Sequence, residues 1–109
     1  MIYDVQITAQ AESDLRSIFE YIAYELQSVQ NAIGQLERLE QSISSLDQMP
    51  ERFRAYLNEP WNGRGLRVMP VDHYLVFYIP SHESKTVHIV RVLYGGRDIE
   101  QQLNRFTQF

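Results

Sequence analysis

The chain has 109 residues, 44% of them hydrophobic, 12% aromatic and none cysteine. That length suits one domain with one modest core, 1–109, and the composition suits a folded rather than a disordered chain. The missing cysteines exclude disulfides, thiolate catalysis and cysteine-ligated zinc. No apolar run is long enough to span a bilayer, and Met1-Ile2-Tyr3-Asp4 lacks the basic and apolar regions of a signal peptide, so a cytoplasmic address and no membrane partner are expected.

Charge is unevenly divided. Residues 1–50 carry two arginines against eight acids, a balance of −6; residues 51–109 carry eight bases against six acids, +2. Nine of the ten bases are arginine. Arginine favours forked recognition of carboxylate or phosphate, although surface charge also segregates with secondary structure without any function.

In chain order, Ile2 to Ile7 reads as a strand and Thr8 as an N-cap. Leu15, Ile18, Phe19, Ile22, Ala23 and Leu26 then share one helical face, with Glu12, Asp14 and Arg16 mostly opposite. Ser28 caps a second helix with Val29, Ala32, Ile33, Leu36, Leu39, Ile43 and Leu46 at the same spacing, stopped by Met49-Pro50. Gly34 within it is expected to mark close packing on the neighbouring helix. The two helices form an antiparallel hairpin.

Residues 51–65 read as a loop. Three strands follow, Leu66–Met69, His73–Ile79 and Thr86–Leu93, with turns at Pro70-Val71-Asp72 and Ser81-His82-Glu83-Ser84. These links are too short for crossover helices, so the strands are antiparallel neighbours. The last is β-branched on both faces and is predicted to be central. Arg97 to about Leu103 is either a short closing helix or an extended tail. The expected fold class is α+β, in the order β-α-α-β-β-β, an antiparallel sheet packed on a two-helix hairpin. The other sheet face is expected to stay concave and partly open.

His73, His82 and His88 have no ligand spacing, so neither a metal site nor a cofactor is expected. Phosphate-loop, nucleophilic-serine and paired-carboxylate patterns are absent. There remain Arg64, Arg67, Arg91 and Arg97 with Tyr74, Tyr78 and Tyr94 among them. Such a set fits a phosphodiester with a stacked base, or the carboxylates of a protein partner. Arg91, between Val90 and Val92, reads better as an internal ion pair, with Asp98 or Glu100 as candidate acids.

Gly65-Leu66-Arg67, His73-Tyr74-Leu75-Val76-Phe77-Tyr78 and Val87-His88-Ile89-Val90-Arg91-Val92-Leu93-Tyr94-Gly95-Gly96-Arg97-Asp98 together resemble the C-terminal half of toxins of the RelE/ParE superfamily. The strand followed by Thr8-Ala9-Gln10-Ala11-Glu12-Ser13-Asp14-Leu15 resembles their opening. The resemblance implies the toxin of a type II toxin–antitoxin system, of plasmid-stabilisation type, with a cognate antitoxin as partner. RelE-like members are ribosome-dependent ribonucleases that cut messenger RNA; ParE-like members poison DNA gyrase. The ribonuclease pattern is broken here: Tyr74 and Leu103 stand where an arginine and a tyrosine are common, and only Arg97 matches. Arg91 to Asp98 resembles a ParE-type ending, with Tyr94 in place of a histidine and Gly96 in place of an arginine. The acidic balance also suits a protein target better than a field of phosphates.

The resemblance therefore implies a ParE-like growth inhibitor. The alternatives are a RelE-like ribonuclease, with Arg67, His88, Tyr94 and Arg97 as catalytic candidates, and a non-toxic antitoxin-binding member. Target or antitoxin contact is expected at Arg64, Arg67, Tyr78, Arg91, Tyr94 and Arg97. Phe106 and Phe109 are expected to close an open surface or support a homodimer when no antitoxin is bound.

Overall fold

The computed structural model describes residues 2–109. Strand β1 (Asp4–Ile7) leads into α1 (Ala9–Glu20), which continues as a π-helical turn (Tyr21–Glu25); α2 (Val29–Ser44) runs back. Strands β2 (Arg67–Val71), β3 (Tyr74–Ser81) and β4 (Thr86–Tyr94) and helix α3 (Ile99–Phe106) follow. The sheet order is β1-β4-β3-β2, with β1 parallel to β4 and the other pairs antiparallel. The order and class match the expectation, and β4 is central and buried along most of its length.

Both predicted caps form. The Thr8 hydroxyl accepts from the Ala11 amide and the Ser28 hydroxyl from the Asn31 amide, each satisfying an orphan donor of a first turn. The first helix widens at its end, where the Leu26 amide donates to the Tyr21 carbonyl. This shift in phase, with Gln27 at φ 53°, turns the chain into α2. Leu26, expected on the inner face, is consequently exposed, as are Val29 and Ile33 at the start of α2.

The β2–β3 turn comes later than predicted. Pro70 and Val71 belong to β2, and the link is Asp72-His73, with Asp72 in the left-handed region at φ 55°. Pro70 is tolerated because β2 is an edge strand. Residues 54–56 partly shield that edge: the Val68 amide donates to the Arg54 carbonyl at 3.0 Å and the Tyr56 amide to the Leu66 carbonyl at 2.9 Å.

The core has two layers. Leu15, Leu39, Ile43 and Leu46 pack under Val76, Tyr78, Val87, Ile89 and Val92 on one sheet face. The other face is not open. Helix α3 inserts Leu103 among Trp61, Leu66, Val68, Phe77, Val90 and Leu93. The Trp61 indole N–H donates to the Asn104 side-chain oxygen at 2.9 Å. A sheet apolar on both faces needs two covers, and Ile99 and Leu103, four apart on one face of α3, supply the second.

Candidate functional site

Helix α1 runs beside the edge of β4 that β1 leaves uncovered. Pairing with β1 stops at Ile89, and beyond it the Val92 amide donates to the Asp14 carboxylate at 3.0 Å. Arg91 meets the same carboxylate with a two-pronged contact, Nε at 2.7 Å and Nη2 at 2.9 Å. Its Nη1 donates to the Phe106 carbonyl and the Thr107 hydroxyl. Arg91 is thus an internal tie of α1, β4 and α3, 5% exposed, and its acid is Asp14 rather than Asp98 or Glu100. Asp14, expected on the outer side of α1, faces the sheet.

Above this tie lies a groove of about 1090 Å³ between the helical hairpin and the carboxyl end of β4. Tyr21, Tyr74 and Tyr94 give it aromatic walls, and Arg38 and Arg97 bring cations. Tyr74 and Tyr94 meet edge to face, centroids 5.9 Å apart. Burial, then the neighbouring Tyr94 and Tyr21, pushes the Tyr74 phenol upward. Tyr94 is half exposed. Its ring lies against the turn that ends β4: a β-carbon at Gly96 would stand 2.6 Å from Tyr94 Cε2.

On the facing wall, Arg38 Nε donates to the Asp72 carboxylate at 2.8 Å and Gln35 Nε2 to the same oxygen at 2.9 Å. The Arg38 bond, then that of Gln35, holds the Asp72 carboxyl below its ordinary value. Gly34 does not mark close helix packing. It lines the groove, and a β-carbon there would be 3.3 Å from Arg38 Nη1.

The predicted site residues are scattered over three places. Arg97 and Tyr94 share the groove. Tyr78 is fully buried with its hydroxyl donating to the Pro50 carbonyl at 2.6 Å, so it presents no surface to a partner. Arg67 begins β2 and donates to the Glu51 and Phe53 carbonyls. His88 lies on the α3 side of the sheet, its ring 5.4 Å from that of Phe109. Arg64 is held over the Trp61 ring at 4.5 Å and the Phe109 ring at 5.6 Å, and bonds the Phe109 carbonyl. The aromatic tail therefore folds back on its own chain. Asp14, Tyr21, Gly34 and Arg38 were not singled out as site residues; only Asp14 lay within a recognisable motif.

Among the described residues, no group of histidine and acidic side chains is arranged to hold a metal ion, and no helix is long and apolar enough to cross a membrane. The family described as the ParE toxin of the type II toxin–antitoxin system parDE matches residues 5–99. The chain belongs to the ParE toxin family. Solved structures share the fold of this ParE-family chain at low identity. A chromosomal ParDE system from P. aeruginosa aligns with a TM-score of 0.69 and 17% identity, over 85% of this chain and 96% of that one. A chain of the RelBE2 toxin–antitoxin complex from Mycobacterium tuberculosis gives 0.60 and 22%, over 86% and 99%. An arginine double mutant of the E. coli toxin RelE, in the free state, gives 0.63 and 13%, over 97% and 99%. No curated protein is significantly similar in sequence.

Proposed function

We propose that this toxin-family chain is a ParE-like growth inhibitor whose target is a protein, with DNA gyrase the first candidate, acting in the cytoplasm and held in check by a cognate antitoxin. The observation that carries this reading is the dispersal of the groups a nuclease would need to converge. A general acid or base must come within hydrogen-bond reach of the reacting group, and cationic groups within reach of the phosphate. Arg67 pairs with Tyr78, which pairs with Ile89, whereas Arg97 lies beyond Tyr94, so several residues of strand separate their rows. At about 3.3 Å per residue that is well over 10 Å. His88 is on the opposite sheet face from Arg67, beneath the C-terminal tail. The net charge of −4 also favours a protein surface over an RNA-filled one.

One observation favours the ribonuclease alternative: Arg97 and Tyr94 do share the large groove. Induced expression in a bacterium lacking the antitoxin separates the two. Filamentation with a DNA-damage response supports the gyrase reading. Rapid arrest of translation with cleaved messages, lost in Arg97→Ala and Tyr94→Phe, supports the ribonuclease. Expression with no effect on growth supports a non-toxic antitoxin-binding protein.

The antitoxin reading has its own support. The P. aeruginosa and M. tuberculosis relatives are described as toxin–antitoxin assemblies, and a groove walled by tyrosines suits a docked peptide segment. Co-expression of this chain with the product of the adjoining reading frame, followed by affinity capture of either, tests it; failure to co-purify refutes that pairing.

A further inference from the structure

The segment that follows α3 is held differently from the helix itself. Apolar contact fixes α3, with Leu103 fully buried among the residues of the second core layer. Residues Phe106 to Phe109 are instead gripped by side chains from three other parts of the chain. Arg91 Nη1, on β4, donates to the Phe106 carbonyl and the Thr107 hydroxyl. The Gln10 amide, on α1, uses both its ends: it donates to the Phe106 carbonyl and accepts from the Gln108 amide at 2.8 Å. Arg64, in the loop before β2, bonds the Phe109 carbonyl and lies 5.6 Å from the centre of the Phe109 ring. The same ring stands 5.4 Å from the His88 imidazole. The ParE family match ends at residue 99, so this segment lies beyond it.

We propose that residues 107–109 are a lid, hinged at Thr107 and latched by Gln10, that covers His88 and occupies Arg64. The sheet alone leaves this place open. His88 pairs with Gln6 on β1 and with Ile79 on β3, and Gln6 is exposed. The Phe109 ring closes over the imidazole in that row. Arg64 forms no ion pair among the described residues, so the lid engages a cation that is otherwise uncommitted. The hinge is where the backbone leaves the helix for an extended conformation, at φ −111° and ψ 127°. Opening there is cheap relative to undocking α3. Phe106 and Phe109 are already 53% and 43% exposed, so lifting them adds little apolar surface to water. The Gln10 and Arg64 contacts are exposed hydrogen bonds, which water replaces readily, whereas Leu103 must leave the core before α3 can move. The lid therefore opens as a local unit, and access to His88 and Arg64 follows its position.

The test is reaction of the full chain with diethyl pyrocarbonate, each histidine being followed separately by peptide mass spectrometry. His73 and His82 are exposed and serve as references. Gln10→Ala is expected to speed modification of His88 by about fivefold, the shift in an opening equilibrium when a hydrogen bond of ordinary strength is lost. Phe109→Ala should speed it further, and adding Gln10→Ala to Phe109→Ala should change nothing, since the latch acts only through the ring it holds down. The amides of α3 should keep their native hydrogen-exchange protection in all three variants. A native His88 rate in either single variant, or a further rise in the double variant, overturns the lid. Loss of α3 protection in step with His88 modification also overturns it, because the segment would then be undocking with the helix.

Discussion

Asp14 and Arg91, 77 positions apart, form a two-pronged ion pair that also closes the open edge of the central strand, because the Asp14 carboxylate takes the Val92 amide as well. Both carboxylate oxygens and all three guanidinium nitrogens are hydrogen-bonded, which is the condition under which a buried pair is tolerated. The pair joins the first helix to the last strand and, through Phe106 and Thr107, to the C-terminal helix. The charge of Asp14, which lines the groove, is thereby matched by Arg91.

Removing one partner leaves the other charge buried. Arg91→Ala and Asp14→Ala are each expected to cost about 3–5 kcal/mol, a large part of the roughly 5–15 kcal/mol that holds a small domain together. The double substitution should cost less than the sum of the two. Urea denaturation of the three variants measures this, and strict additivity would show that the pair is not coupled.

Tyr78 predicts a loss of stability in alkali. Burial pushes its phenol from 10.0 up to about 12, against the smaller opposing influence of Arg67. A folded-state pKa raised above the unfolded one means that the neutral phenol is favoured by folding. Its contribution is fully present below pH 10 and is lost as pH rises through about 12. Thermal melts across that window should fall more steeply for the native chain than for Tyr78→Phe. The variant should also lose about 1 kcal/mol at neutral pH, since the Pro50 carbonyl loses its donor.

Asp72 predicts the opposite limb. Its lowered pKa, caused first by Arg38 and then by Gln35, gives a contribution present above the ordinary value of 3.8 and lost as pH falls through the folded value below it. Asp72→Asn retains a residue tolerant of the left-handed turn while removing the charge. Its melting temperature should therefore drop less than that of the native chain on acidification below about pH 4. Parallel acid profiles would show that the Arg38–Asp72 contact does not contribute to stability.

The C-terminal helix should report its own docking. Trp61 is the only tryptophan in the chain and donates to Asn104 on α3. Leu103→Ala empties a fully buried position and is expected to cost about 2–5 kcal/mol. Leu103→Asp should detach the helix and shift Trp61 emission to the red while the hairpin helices persist in circular dichroism. Unchanged emission would place α3 elsewhere in solution.

Much of the architecture is legible residue by residue. The period-3.6 stripes of Leu15–Ile22 and Leu36–Leu46, the caps at Thr8 and Ser28, and the β-branched run of Thr86–Val92 each depend on neighbours within a few positions, so they mark two helices and a central strand directly. Arg91 also announced itself as an internal pair, because a cation between two valines on a buried strand requires one. Its partner did not, since any of several acids satisfies that requirement and only the packing of α1 along β4 selects Asp14. Leu26, Val29 and Ile33 lie on apolar stripes yet face water, because the π-turn rotates the end of the hairpin off the sheet. The sequence by itself determined the two hairpin helices, the strands, their order and the family motif, and left the last segment open between helix and tail. Tertiary structure alone decided that α3 covers the second face, that Arg67, His88 and Arg97 lie apart, and that Tyr94 rests on Gly96. Those relations join distant elements or depend on which way a side chain turns, and local periodicity carries no information about either.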